Sequence, residues 1–245
     1  MITTIPYPYK LNKRHPIARG LVGFWPLNEK NGSRAFDVTG NNNHGTLVNM
    51  ALQGSTSNWT GSPFGGGLIF DGVNDSVEVN TSTTIEDTND VSVHCWIKVN
   101  SAITGKTIIS KYAAQPCEYE LLIATNTYWF RIDNNSNVAK YATGTTTTTN
   151  TVGKWVNLVG TYNQAALTLK IYVNGVLEGT GTTDTRNRTR TDKLTFGKRA
   201  YVGAESYCNC SLAMIRIYNR TLSAEEIKML YLNPDIDLLR KRIGK

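Results

Sequence analysis

Aromatic and amide side chains crowd the middle of this 245-residue chain, where Tyr112, Tyr119, Tyr128, Trp129 and Tyr141 are interspersed with Asn126, Asn134, Asn135 and Asn137. Aromatic faces stack on sugar C–H surfaces and amides hydrogen-bond hydroxyls, so the chemistry these residues serve is glycan binding. Trp129, Tyr141, Tyr128 and Asn134 are the candidate ligand-binding residues. Alternation in Tyr128-Trp129-Phe130-Arg131-Ile132 must send one set of side chains inward. Trp25, Trp96 and Trp155 lie inside apolar strand patterns and read as packing residues.

Other chemistries find less support. Histidines 15, 44 and 94 lack metalloprotease spacing, and no G-x-S-x-G elbow occurs. Gly105-Lys106-Thr107 matches the end of a phosphate-binding loop, but Asn100 stands where that loop needs its first glycine, so the segment reads as a turn. Cys208 and Cys210 share one strand face, and nothing fixes further zinc ligands beside them and Cys117. The four cysteines read as free thiols, with Cys95 in the core. His44 sits in an Asn/Gly turn and reads as a solvated loop residue.

The elements that position these residues are strands. At 40% hydrophobic and 18% charged residues the composition is that of an ordinary globular protein, and its richness in Thr, Asn and Gly favours strands and tight turns. No stretch approaches the roughly 18 consecutive apolar residues that cross a bilayer, and the first twenty residues carry no run of secretory-signal type. The expectation is therefore no membrane span and no export signal. Short apolar segments separated by Gly, Asn, Asp and Ser clusters predict an antiparallel sandwich from Gly20 onward. Asn174-Gly175 between two alternating runs predicts a type I′ hairpin. Ser223 and Glu226 predict a capping box that opens one C-terminal helix, with Leu222 and Ile227 as its staple and Pro234 as its stop.

Six segments in order resemble the laminin-G-like, concanavalin A-like jelly-roll superfamily: Gly20–Glu29, Asp37–Leu47, Phe64–Asp75, Trp155–Tyr162, Ile171–Gly175 and Ile215–Ser223. The resemblance covers residues 20–232 and implies an all-β, two-sheet antiparallel jelly-roll sandwich with neighbouring first and last strands and a short closing helix. It also implies a calcium ion held by loop oxygens, for which Asp37, Asn41, Asn43 and Asp71 supply hard ligands, with no cofactor required. Asp and Asn serve turn geometry equally well. Ala213-Met214 stands where the family usually has an acidic residue, which weakens a calcium site. Glucanases of this fold set carboxylates in a Glu-x-Asp-x-x-Glu pattern. Glu118-Tyr119-Glu120 and Glu86-Asp87 have the wrong spacing, so the chain reads as no enzyme. The opening His15–Gly23 resembles the start of domains of this kind in tailed-phage structural genes.

Formal charge is +7 at pH 7. Residues 1–19 read as an extended basic arm outside the fold and residues 233–245 as a basic tail. Lys10, Lys13, Arg14, Arg19, Arg240, Lys241 and Arg242 are the candidates for docking to an acidic particle surface. Specific nucleic-acid binding is not expected, since no aromatic-basic interleaving is present. The leading expectation is a non-enzymatic phage virion protein, made in the host cytoplasm. It would be a capsid decoration, head fibre or tail-associated component, with capsid or tail proteins as partners and weak binding to cell-surface glycans. The alternatives are a cell-associated or secreted carbohydrate-binding module and, third, a glycoside hydrolase resting on Glu118, Glu120 or Asp133. Whether copies form a homo-oligomer is left open.

Overall fold

Period-two alternation builds most of the molecule. In the Val91–Val99 strand, Val91, Val93, Cys95, Ile97 and Val99 all enter one core, while Ser92, His94, Trp96 and Lys98 face the other way. A computed structural model describes residues 9–52, 58–86, 89–112, 116–185, 192–199 and 206–240. Two eight-stranded antiparallel sheets face each other across that core. From edge to edge, the first sheet runs Ala139–Thr147, Thr127–Asp133, Tyr119–Ala124, Lys106–Lys111, Leu194–Phe196, Ser76–Val79, Gly45–Val48 and Arg34–Ala35. The second runs Val176–Thr182, Thr168–Val173, Trp155–Asn163, Val91–Val99, Asn209–Tyr218, Gly67–Asp71 and Trp59–Thr60, with Leu21–Trp25 also paired to Asn209–Tyr218. This is the predicted sandwich, and its first and last long strands lie side by side.

Local signals landed as expected. Asn174 and Gly175 take φ of 51° and 77° and join Thr168–Val173 to Val176–Thr182. Ser223 and Glu226 complete both halves of the capping box, and the Ala224–Leu232 helix buries Ile227 and Leu230. Among the described residues no helix is long and apolar enough to cross a membrane. The four cysteines are buried and unbridged. Cys95, Cys208 and Cys210 belong to the main core, so burial pushes the Cys95 and Cys210 thiols up.

The arm is where expectation and structure part. From Tyr9 onward it is not outside the fold: Tyr9–Leu11 pairs with Leu238–Arg240, and Ile17 is fully buried. Ile17 joins Leu11, Phe24, Trp96, Leu222, Ile227, Leu230 and Leu238 in a second apolar cluster on the outer side of the second sheet. Burying an isoleucine contributes about 1.5–3 kcal/mol, and the burial of Leu11 and the backbone pairing with Leu238–Arg240 add to it in holding the segment on the sheet. The second sheet is thus covered on both faces, by the first sheet and by the two ends of the described chain.

His94 lies within this outer cover, fully buried, with its Nε2 2.8 Å from the Asn157 amide nitrogen. Burial first, and the Arg216 charge second, hold its pKa well below the ordinary 6.5. Folded His94 stays neutral while the unfolded chain takes up a proton below pH 6.5, so stability should fall as pH drops through that value. The slope should reach about 1.4 kcal/mol per pH unit. Denaturant unfolding between pH 7.5 and 5 checks this: His94→Gln should flatten the profile, and an unchanged slope would remove His94 as its source.

Candidate functional site

The Thr127–Asp133 strand sends Tyr128, Phe130 and Ile132 into the core and leaves Trp129, Arg131 and Asp133 on the outward face of the first sheet. Register then sets Tyr141, Arg131, Glu120, Ser110, Thr195 and Glu78 side by side across six strands. At one end of this row the Trp129 and Tyr141 rings meet edge to face, with centroids 5.2 Å apart. Trp129 is half-buried and Tyr141 is 38% exposed. The indole Nε1 donates to Thr127 Oγ1 at 2.7 Å, which fixes the ring. Burial raises the Tyr141 phenol pKa, so its hydroxyl remains a donor at neutral pH.

Behind the aromatic pair the charges compensate one another. Arg131 donates from Nε and Nη2 to the Asp133 carboxylate at 3.0 and 3.1 Å and lies 4.7 Å from the centre of the Tyr112 ring. Arg199 grips both oxygens of Glu120 at 2.8 Å each, and Thr107 Oγ1 donates to the same carboxylate at 2.7 Å. Lys111 and Glu118 form a 2.8 Å ion pair, both side chains fully buried. Glu118, Glu120 and Asp133 thus each face a cation, Lys111, Arg199 and Arg131 in turn.

The edge that carries Tyr141 is tied to the second sheet. Glu178 accepts from Thr145 N and Thr146 N at 2.8 Å each and from the Thr146 hydroxyl. The rim is therefore part of the rigid sandwich, as a pre-organised binding surface requires.

Two expected ligand residues are corrected. Tyr128 is a core side chain, 1% exposed, whose hydroxyl bonds Thr151, because it has the opposite parity to Trp129. Asn134 is buried in a turn: its Nδ2 donates to Asp184 and its Oδ1 accepts from Ser136 N and Val138 N.

The calcium set does not fit an ion. Both Asp37 oxygens already accept hydrogen bonds, from Phe24 N, Thr39 N, the Thr39 hydroxyl and Asn43 N. Asn41 and Asn43 turn their amide nitrogens toward Val22 O. Asp71 stands apart, accepting from Val73 N, Asn74 N and Asp75 N in its own turn. His44 lies half-buried in its loop, where its Nδ1 accepts from Asp37 N and its ring packs edge-on against Phe36. Among the described residues no three His, Cys, Asp or Glu side chains converge as metal ligands.

Of the docking candidates, Lys10, Lys13, Arg14 and Arg19 are exposed on the fixed N-terminal segment. Arg240 is described by its backbone pairing with Tyr9, and Lys241 and Arg242 lie outside the described residues. The ion-pair network around Arg131 was missed by sequence reasoning. Its signal was the i, i+2 spacing of Glu118 with Glu120 and of Arg131 with Asp133 in strand-forming context, which sets like-parity charges on one face.

Residues 71–228 match a family model described as the concanavalin A-like lectin/glucanases superfamily. No curated protein sequence matches the chain. Among solved structures, the binding domain of Paraclostridial Mosquitocidal Protein 1 superposes with a TM-score of 0.69 at 15% identity, over 88% of this chain and 52% of that one. The botulinum neurotoxin serotype D binding domain gives 0.67 at 20%, over 91% and 54%. Domain 4 of AbnA, a GH43 extracellular arabinanase from Geobacillus stearothermophilus solved with arabinotriose, gives 0.65 at 16%, over 86% and 98%. The chain spans about half the length of the two toxin binding domains and nearly all of the arabinanase domain.

Proposed function

The chain belongs to the concanavalin A-like lectin/glucanases superfamily, and from that premise we infer that it is a non-enzymatic module binding a saccharide at the Trp129–Tyr141 rim of its first sheet. The observation that carries this reading is the edge-to-face aromatic pair, held by Thr127 and the Glu178 clamp, with a phenol donor beside it. A sugar ring lays its C–H face on such a platform and its hydroxyls against the polar row. Asp133, Glu120 and Glu118 are engaged by Arg131, Arg199 and Lys111, which supports binding without hydrolysis. The arabinotriose in the similar arabinanase domain supports a saccharide as ligand.

Trp129→Ala and Tyr141→Ala should each weaken binding roughly tenfold, the loss of a stacking contact of about 1.4 kcal/mol, with melting temperature nearly unchanged. The measurement is a glycan array followed by titration of the best ligand, with calcium and with excess chelator. Chelator should leave binding intact, because both oxygens of Asp37, the central carboxylate of the calcium set, already accept N–H and O–H donors. Wild-type affinity in both variants would reject this rim, and no saturable binding to any glycan would reject the reading.

A second reading, display on a tailed-phage particle with capsid or tail proteins as partners, is favoured by one feature. Tyr9 and Arg240 pair across a two-stranded ribbon, so the two ends of the described chain lie side by side, which suits a module attached at one place. Mass spectrometry of purified particles tests it, and particles lacking the chain would exclude it.

A further inference from the structure

The fixed N-terminal segment builds a feature that neither sheet needs. Lys10, Leu11, Asn12, Lys13 and Arg14 face Val38, Thr39 and Gly40 across a cleft of about 590 Å³. Its cations stand on a built turn. Asn12 N donates to Asp237 O at 2.7 Å, and the Asn12 Oδ1 and O atoms accept from Arg14 N and His15 N at 3.2 and 3.0 Å. The His15 Nδ1 then accepts from Ile17 N, next to a fully buried side chain. The opposite wall is held by the Asp37 hydrogen bonds. At Gly40, where φ is +90°, a Cβ would come within 3.3 Å of Lys13 Nζ, so the bare glycine leaves room for the ammonium.

Among the described residues, none of Lys10, Lys13 and Arg14 makes an ion pair, although other basic side chains do. Three like charges within five positions on a fixed backbone repel one another, and an anion seated between them relieves that repulsion. The volume lies within the range of small-ligand sites, a few hundred to about 1,000 Å³. Leu11 and half-buried Val38 add an apolar wall beside the cations.

We propose that this cleft is a second ligand site, selective for an anionic saccharide whose carboxylate or sulfate sits between Lys10, Lys13 and Arg14. It takes only the ligand class from the saccharide-binding reading, and it lies on the opposite side of the sandwich from Trp129 and Tyr141.

The test titrates the full chain with tetragalacturonate, a chondroitin sulfate tetrasaccharide, uncharged chitotetraose and a pentaglutamate peptide. Both charged saccharides should bind more tightly than chitotetraose and weaken as salt rises from about 50 to about 300 mM. Lys13→Glu/Arg14→Glu, and the milder Lys13→Ala/Arg14→Ala, should lower their affinity by roughly tenfold or more. Trp129→Ala should not affect it, so failure here and failure of the aromatic rim are separable. Equal affinity for charged and uncharged saccharides would overturn the proposal. So would affinity unchanged by charge reversal, or tighter binding of the pentaglutamate peptide, which would make the cleft a dock for an acidic protein segment.

Discussion

Asp237→Ala should unfold roughly 6–20 °C below the unmodified chain, the consequence of losing about 3–5 kcal/mol when one partner leaves a buried ion pair. Asp237 and Arg216 are both fully buried. The guanidinium donates to the two carboxylate oxygens at 3.1 and 2.6 Å and to Pro234 O at 2.7 Å, and it stacks 3.8 Å from the centre of the Phe24 ring. Without the carboxylate, a positive charge remains in the outer apolar cluster beside neutral His94, with no water to solvate it. Replacing both partners, as Arg216→Met/Asp237→Leu, should cost much less, because the desolvation of both charges disappears together with their attraction. Thermal melts of the single and double variants decide the matter. An Asp237→Ala chain melting within about 2 °C of wild type would show that the pair is dispensable.

The same substitution should reach the basic cleft. Asp237 O accepts from Asn12 N, and the neighbouring Leu238 pairs with Leu11. Loosening the tail therefore loosens the segment that presents Lys10, Lys13 and Arg14. Anionic saccharide affinity should fall in Asp237→Ala, while the aromatic rim on the opposite face keeps its ligand.

Local patterns made much of this fold legible, and long-range register hid the rest. Alternation in Val91–Val99 reported its buried face directly, and the Asn174-Gly175 turn and the Ser223–Glu226 box each depend on a few adjacent residues. The same alternation separates Tyr128 from Trp129, and weighing it against Phe130 and Ile132 would have placed Tyr128 in the core. The row from Tyr141 to Glu78 was not legible, because it needs the mutual register of six strands drawn from positions 76 to 195. The N-terminal segment misled for a related reason. Its prolines and basic residues suggest an arm outside the fold, but its anchors are one isoleucine and a backbone pairing more than 200 residues distant in sequence. Asp37, Asn41 and Asn43 look like metal ligands because the oxygens that suit calcium also accept the N–H groups of a tight loop, and here the loop uses them.

Gly181→Val should lower stability by about 3 kcal/mol, the upper part of the usual range for forcing atoms into a packed site, and the melting temperature by roughly 6–12 °C. A Cβ at Gly181 would overlap the Tyr141 carbonyl oxygen, and one at Gly179 would overlap that of Thr143. On the facing strand, a Cβ at Gly144 would sit 2.7 Å from Tyr128 O. Backbone oxygens cannot swing aside as side chains do, so the added atoms must part the Val176–Thr182 and Ala139–Thr147 edges. That seam holds the two sheets together beside the aromatic rim, with Glu178 clamping Thr145 and Thr146 across it. Displacing the strand that carries Tyr141 changes its edge-to-face angle with Trp129, so saccharide affinity should fall roughly tenfold although neither ring is altered. Leu177→Ala, on the same strand but exposed, should leave both melting and binding near wild type. If Gly181→Val melts normally and binds normally, the close approach of the edges is not what holds the rim. If it melts low yet binds normally below its transition, the rim tolerates a parted seam and its geometry comes from the Thr127–Asp133 pairing alone.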